Sequence, residues 1–171
     1  MVQKQEGAIG AADGRRVFHR RWLPDGSPRG AVVIIHGYAE HSGRYDWTGE
    51  RLAGAGYATY ALDLTGHGQT GGEQALVRSM NEFLNDVRLY ISLVRGWAAG
   101  LPLFVLGHSM GGAITTLYVA VDKPELRGVI LSGAVLAGEN RGRGMRERIV
   151  SLIGRVLRRL RIAQLSSSSI A

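Results

Sequence analysis

Apolar residues gather in short, unbroken runs: AVVIIHG at 31–37, YATYALD at 57–63, LFVLGH at 103–108 and GVILSG at 128–133. Runs of this length, rich in Val, Ile and Leu and each followed by glycine or polar turn residues, predict strands buried on both faces. Between them the period changes. Met80, Phe83, Leu84, Val87, Tyr90, Ile91 and Val94 recur at helical spacing and predict one apolar helix face, as do Ile114, Leu117, Tyr118 and Val121. RVFHRRWLP, from Arg16, alternates instead, with Val17, His19 and Arg21 on one side and Phe18, Arg20 and Trp22 on the other. That is the pattern of an outer, antiparallel strand. Strands alternating with helices predict an α/β domain, a mostly parallel sheet with helices on both faces.

From Gly138 the pattern breaks. Met145, Ile149, Leu152, Ile153, Val156 and Leu160 share one helical face and arginines take most of the other, predicting a basic amphipathic helix over 141–161. Two parts are expected: a core over 1–137 and a second segment over 138–171. Charge sharpens this division. The formal charge is +7, yet residues 1–138 contribute only +1 and residues 139–171 contribute +6. Basicity confined to one segment, with no recognition motif elsewhere, argues against a nucleic-acid partner. Such a helix either binds anionic headgroups or packs its apolar face over a site and leaves its arginines solvated.

The 171 residues suffice for one cored domain. No apolar stretch approaches the ~18 residues needed to span a bilayer. MVQKQEGAIGAADGRR lacks the apolar segment of a secretory signal, so cytoplasmic residence is expected. The absence of cysteine rules out disulfides and thiolate metal ligation.

Gly107-His108-Ser109-Met110-Gly111 fits the G-x-S-x-G elbow, in which a tight strand-to-helix turn exposes a nucleophilic serine. In a chain with 25 glycines the pattern alone means little. Its setting means more: LFVLGH reads as the strand before it and MGGAITTLYVAVDK as the helix after it. The amide after the nucleophile, that of Met110, is the expected first oxyanion donor, and the loop after an earlier strand offers the second from Tyr38.

A base is harder to find. In this arrangement the order is nucleophile, acid, histidine, and no histidine follows Ser109. The one later aspartate, Asp122, closes the helix that Ser109 opens, roughly 20 Å away at 1.5 Å per residue. His108 neighbours the nucleophile but points to the opposite side. His19 falls on the outer strand. His36, His41 and His67 follow strand ends and are expected to brace loops rather than serve as the base.

HGYAEHSGRY at 36–45, DLTGHGQTGG at 63–72 and GHSMGG at 107–112 resemble, in order, the monoacylglycerol lipase and lysophospholipase group of α/β hydrolases, also described as serine aminopeptidase S33 or hydrolase-4 domains. The resemblance implies an α/β-hydrolase fold and a serine esterase acting on small or lipid esters without cofactor or metal. Ser109 is then the nucleophile and the Tyr38 and Met110 amides form the oxyanion hole. Glu40, Arg44 and His108 would line the end that takes the alcohol part, unless Glu40 and Arg44 form only a local ion pair. A peptidase or amidase of the same fold is the alternative activity. In this family the acid and histidine follow an inserted cap, so the chain is expected to stop within that cap. A piece of this kind could instead be inactive and bind lipid or a partner through its basic helix.

Overall fold

A computed structural model describes residues 1–73 and 79–136. One unit spans Met1–Ala134, and a second, Val135–Ala171, lies almost wholly outside the described residues. The basic helix expected over 141–161 and the boundary at 137/138 therefore fall outside them.

The five expected strands form, and an unforeseen sixth at the N-terminus joins them. β1 (Gln3–Gly10), β2 (Arg16–Leu23), β3 (Gly30–Ile35), β4 (Tyr57–Leu62), β5 (Leu103–His108) and β6 (Gly128–Ser132) make one sheet in the order β1-β2-β4-β3-β5-β6. β3 runs parallel to β4 and β5, and β5 parallel to β6, while β2 is antiparallel to both β1 and β4. Helices α1 (Asp46–Gly54), α2 (Met80–Trp97) and α3 (Met110–Asp122) make the crossovers.

Register explains the two layers. Trp22 lies opposite Thr59 and joins Val32, Ile34 and Ala61 in a cluster that includes Ala53 of α1. Trp22 lies so close to Gly49 of α1 that a Cβ there would sit 2.3 Å from the indole. On the opposite face His19, Arg21 and Tyr60 meet α2: the His19 ring lies 5.6 Å from Tyr90 and 5.3 Å from Trp97. All seven apolar positions foreseen on α2 are buried. At roughly 25 cal/mol per Å² of apolar surface, these two layers supply the main drive for folding.

Two features depart from expectation, the place of β2 and the exposure of Val121, and two more bear on the site. β2 is not the outermost strand, because β1 pairs along its whole length. α1 carries no strong apolar stripe and buries only Gly49 and Ala53. Val121 is 46% exposed, unlike Ile114, Leu117 and Tyr118. β6 forms the exposed sheet edge expected around Ile130, which is 47% exposed, and no described strand pairs with its outer side.

Candidate active site

β3, β4 and β5 end together, and the loops leaving their carboxyl ends build the site, as is usual in open parallel sheets. Ser109 follows β5 at φ 51°, ψ −114°, and opens α3. A non-glycine residue at positive φ is strained, and such strain concentrates at functional turns. Its surroundings hold it there: Ser109 N–H donates to Ser132 O at 2.9 Å, and its own carbonyl accepts from Gly112 N–H at 3.1 Å. The flanking glycines are needed for close approach. A Cβ on Gly111 would lie 2.1 Å from Ile35 O, and one on Gly107 would lie 2.6 Å from Gly111 O.

The loop after β3 comes against this elbow. A Cβ on Gly37 would sit 3.3 Å from Ser109 Cβ. Tyr38 follows immediately, half-buried, and Ala39 turns the chain at φ 56°. Met110 is the first residue of α3, so its amide has no acceptor within the helix. The sequence elements foreseen as nucleophile and oxyanion loop are thus brought together.

Glu40 Oε2 accepts from Gly37 N–H at 2.9 Å and from the Tyr45 hydroxyl at 2.8 Å, while Oε1 lies 3.6 Å from Arg44 Nε. The local ion pair therefore exists. Burial by itself would raise the Glu40 pKa, but the Gly37 and Tyr45 hydrogen bonds hold it below its ordinary value. Tyr45 shifts upward, through burial and then Glu40. His108 turns its Nδ1 to Ser132 O at 3.0 Å, toward β6.

Two of the remaining histidines, His36 and His67, brace loops. His36 is fully buried; its Nδ1 lies 2.7 Å from Gly37 O and its Nε2 accepts from Leu64 N–H at 2.9 Å. One nitrogen donates and the other accepts, so the ring is held neutral, and burial pushes its pKa down to about 4. His67 is buried, donates from Nδ1 to Thr65 O at 2.9 Å, and is also shifted down, chiefly by burial. His41 is exposed at the start of the Ser42–Tyr45 3-10 helix. His19 lies in the aromatic layer under α2. Asp122 is held by a two-pronged bond from Arg88, both contacts at 2.9 Å.

Two carboxylates escaped the sequence reading. Asp63, fully buried just after β4, accepts from Ser42 N–H at 2.6 Å and Gln69 N–H at 2.8 Å. Asp86, buried on α2, accepts from Thr65 N–H at 2.8 Å and pairs with Arg15 at 3.2 Å. Acidic side chains beside a turn or within an amphipathic helix carry no sequence mark of burial. The one available signal was Asp86 lying next to Val87 in an apolar stripe. Among the described residues no cluster of His, Asp and Glu is placed to hold a metal ion.

Comparison with known proteins agrees with this geometry. A family model described as serine aminopeptidase, S33, matches residues 26–171. The monoacylglycerol lipase of Mycolicibacterium smegmatis is 42% identical over 130 residues, covering 76% of this chain and 46% of that protein. The monoglyceride lipase of Homo sapiens is 36% identical over 158 residues, covering 92% of this chain and 52% of that protein. Among solved structures, a soluble variant of the monoglyceride lipase of Saccharomyces cerevisiae in complex with a substrate analog superposes with TM-score 0.69 at 28% identity, over 77% of this chain and 45% of that one. The chain spans about half the length of the curated relatives it matches. With the matched region covering most of its residues and the fold that of its structural neighbours, the chain belongs to the serine aminopeptidase S33 (hydrolase-4) family of α/β hydrolases.

Proposed function

We propose that this chain is the nucleophile-bearing part of a serine carboxylic-ester hydrolase of the monoacylglycerol lipase type. The observation that carries the reading is Ser109 at positive φ on the elbow, with Gly37 and the Tyr38 loop against its Cβ. Ser109 Oγ attacks the ester carbonyl, the Tyr38 and Met110 amides take the developing oxyanion, and water then hydrolyses the acyl-enzyme. The N-terminus of α3 adds its partial positive charge at the same place. Of Glu40, Arg44 and His108, assigned to the alcohol part, Arg44 is the freest, with its side chain 62% exposed, whereas Glu40 is engaged by Gly37 and Tyr45 and His108 is turned to Ser132.

His36 and His67 are pinned to backbone and His108 is turned to Ser132, so none of these three is free to activate Ser109. The matched relatives are about twice as long, and the proposal assigns the acid and the activating histidine to the part that corresponds to their remaining half. Peripheral contact with an anionic lipid surface through residues 141–161 belongs to the same reading and rests on the sequence alone.

Peptide or amide cleavage by the same serine is the second reading, suggested by the aminopeptidase description of the family. The relatives' names favour esters. Turnover of aryl and glyceryl esters, lost in Ser109→Ala and without cleavage of aminoacyl amides, is the expected result. The reverse preference would replace the first reading by the second.

A further inference from the structure

Asp63 is an expensive residue in its position. It has no exposed surface, and among the described residues no salt bridge engages it. A buried carboxylate without a cation costs stability unless its oxygens are satisfied, and an apolar side chain of similar size would cost less. What the carboxylate contributes is geometry. Oδ1 accepts from Ser42 N–H and Oδ2 from Gln69 N–H, so one side chain ties the loop after β3 to the loop after β4. The fit is close: Gly68 sits at φ 52°, and a Cβ there would fall 2.0 Å from Oδ2.

The loop held in this way is the one that carries the oxyanion donor. Tyr38 lies four residues before Ser42, and between them Ala39 adopts φ 56°, a conformation that an alanine keeps only under external restraint. The restraint acts at both ends. Glu40 takes Gly37 N–H on the upstream side, and Asp63 takes Ser42 N–H on the downstream side. Asp63 is itself fixed from behind, by its own N–H to Phe18 O at 2.8 Å and by the Thr70 hydroxyl to its carbonyl at 2.6 Å.

We infer that Asp63 is a positioning residue for the oxyanion hole, setting the direction of the Tyr38 amide by clamping Ser42 and Gln69 together. This rests on the esterase reading above. Oxyanion donors act by being aimed before charge develops, so slackening of the loop lowers the rate of acylation more than it lowers ground-state binding.

Asp63→Asn keeps the volume and one acceptor but turns an amide NH2 toward the other loop. In the catalytically competent enzyme it is expected to lower kcat, and the rate of fluorophosphonate labelling of Ser109, at least about tenfold, with KM within about twofold. Val94→Ala, a cavity variant on α2, serves as a control of matched melting temperature and is expected to leave both rates unchanged. Equal rate losses in the two variants, or labelling of Asp63→Asn within twofold of wild type, would overturn the assignment. If wild type itself fails to react at Ser109, the esterase reading has failed instead. Should Asp63→Asn not fold, hydrogen exchange on wild type decides: Ser42 and Gln69 amides should be strongly protected before and after phosphonylation, and free exchange at Ser42 would refute the clamp.

Discussion

His36 and Asp63 brace each other's loops: each is the first residue beyond its strand, and each accepts a backbone N–H from the loop that begins at the other. His36 Nε2 takes Leu64 N–H at 2.9 Å, and Asp63 Oδ1 takes Ser42 N–H at 2.6 Å. Both side chains are fully buried. The pair fixes the carboxyl ends of β3 and β4 beside the elbow that β5 supplies, and several measurable consequences follow from how it is built.

His36 makes stability pH-dependent. Its folded pKa is depressed to about 4 against an ordinary 6.5, so between those values the unfolded chain binds the proton and the folded chain does not. Stability is full above about pH 6.5, falls as pH drops toward 4, and levels below it. One such group accounts for about 3 kcal/mol. Urea unfolding of wild type and His36→Asn at pH 7, 5.5 and 4.5 should show the extra slope in wild type only. Parallel slopes would contradict the neutral, doubly bonded ring.

The elbow has no room for a methyl group. Gly111→Ala would drive Cβ to 2.1 Å from Ile35 O and 2.5 Å from His36 O, both backbone atoms of the brace. A loss of about 3 kcal/mol or more is expected, at the upper end of overpacking effects. Gly96→Ala, in α2 with nothing within 4 Å, should instead stabilise by about 0.5–1 kcal/mol. Thermal melts of the two variants test the contrast.

Asp86 anchors the second loop from α2. Asp86→Ala removes the acceptor of Thr65 N–H and one of the two carboxylates on Arg15, which keeps Asp13 at 2.6 Å, and about 1–3 kcal/mol should be lost, chiefly through the unsatisfied Thr65 amide. Arg15→Ala should cost less, because burial raises the Asp86 pKa and so lets the carboxyl accept a proton when the cation is gone. Chemical denaturation of both variants at pH 7 gives the order.

Among the described residues β6 is the outer strand of its side of the sheet, and its apolar side chains invite association. Val129, Ile130 and Leu131 are 39%, 47% and 41% exposed, and parallel strands are normally covered on both faces. The chain as it stands should self-associate in light scattering as its concentration rises, and Ile130→Lys should suppress this. Unchanged association in that variant would place the contact elsewhere.

Much of this was legible in the sequence, and the exceptions have physical causes. Unbroken apolar runs located β3 to β6, and the stripe from Met80 to Val94 located α2, because burial on two faces and on one face leaves distinct periods. β1 was hidden because it contributes mainly backbone pairing: QKQEGAIG has little apolar alternation, and its hydrogen bonds to β2 do not depend on side chains. α1 was hidden because what it offers Trp22 is the absence of a side chain at Gly49. The elbow could be found from Ser109 and its glycines. The role of Asp63 could not, since it depends on two amides 21 and 6 residues away that only the folded chain brings together.

The proposed function stands or falls with Ser109 as the nucleophile. Peptide mass mapping after fluorophosphonate treatment of the catalytically competent enzyme tests it most directly. A single adduct on the peptide containing Ser109, abolished together with ester turnover in Ser109→Ala, is the predicted result. An adduct on another residue, or ester turnover that survives Ser109→Ala, would contradict it.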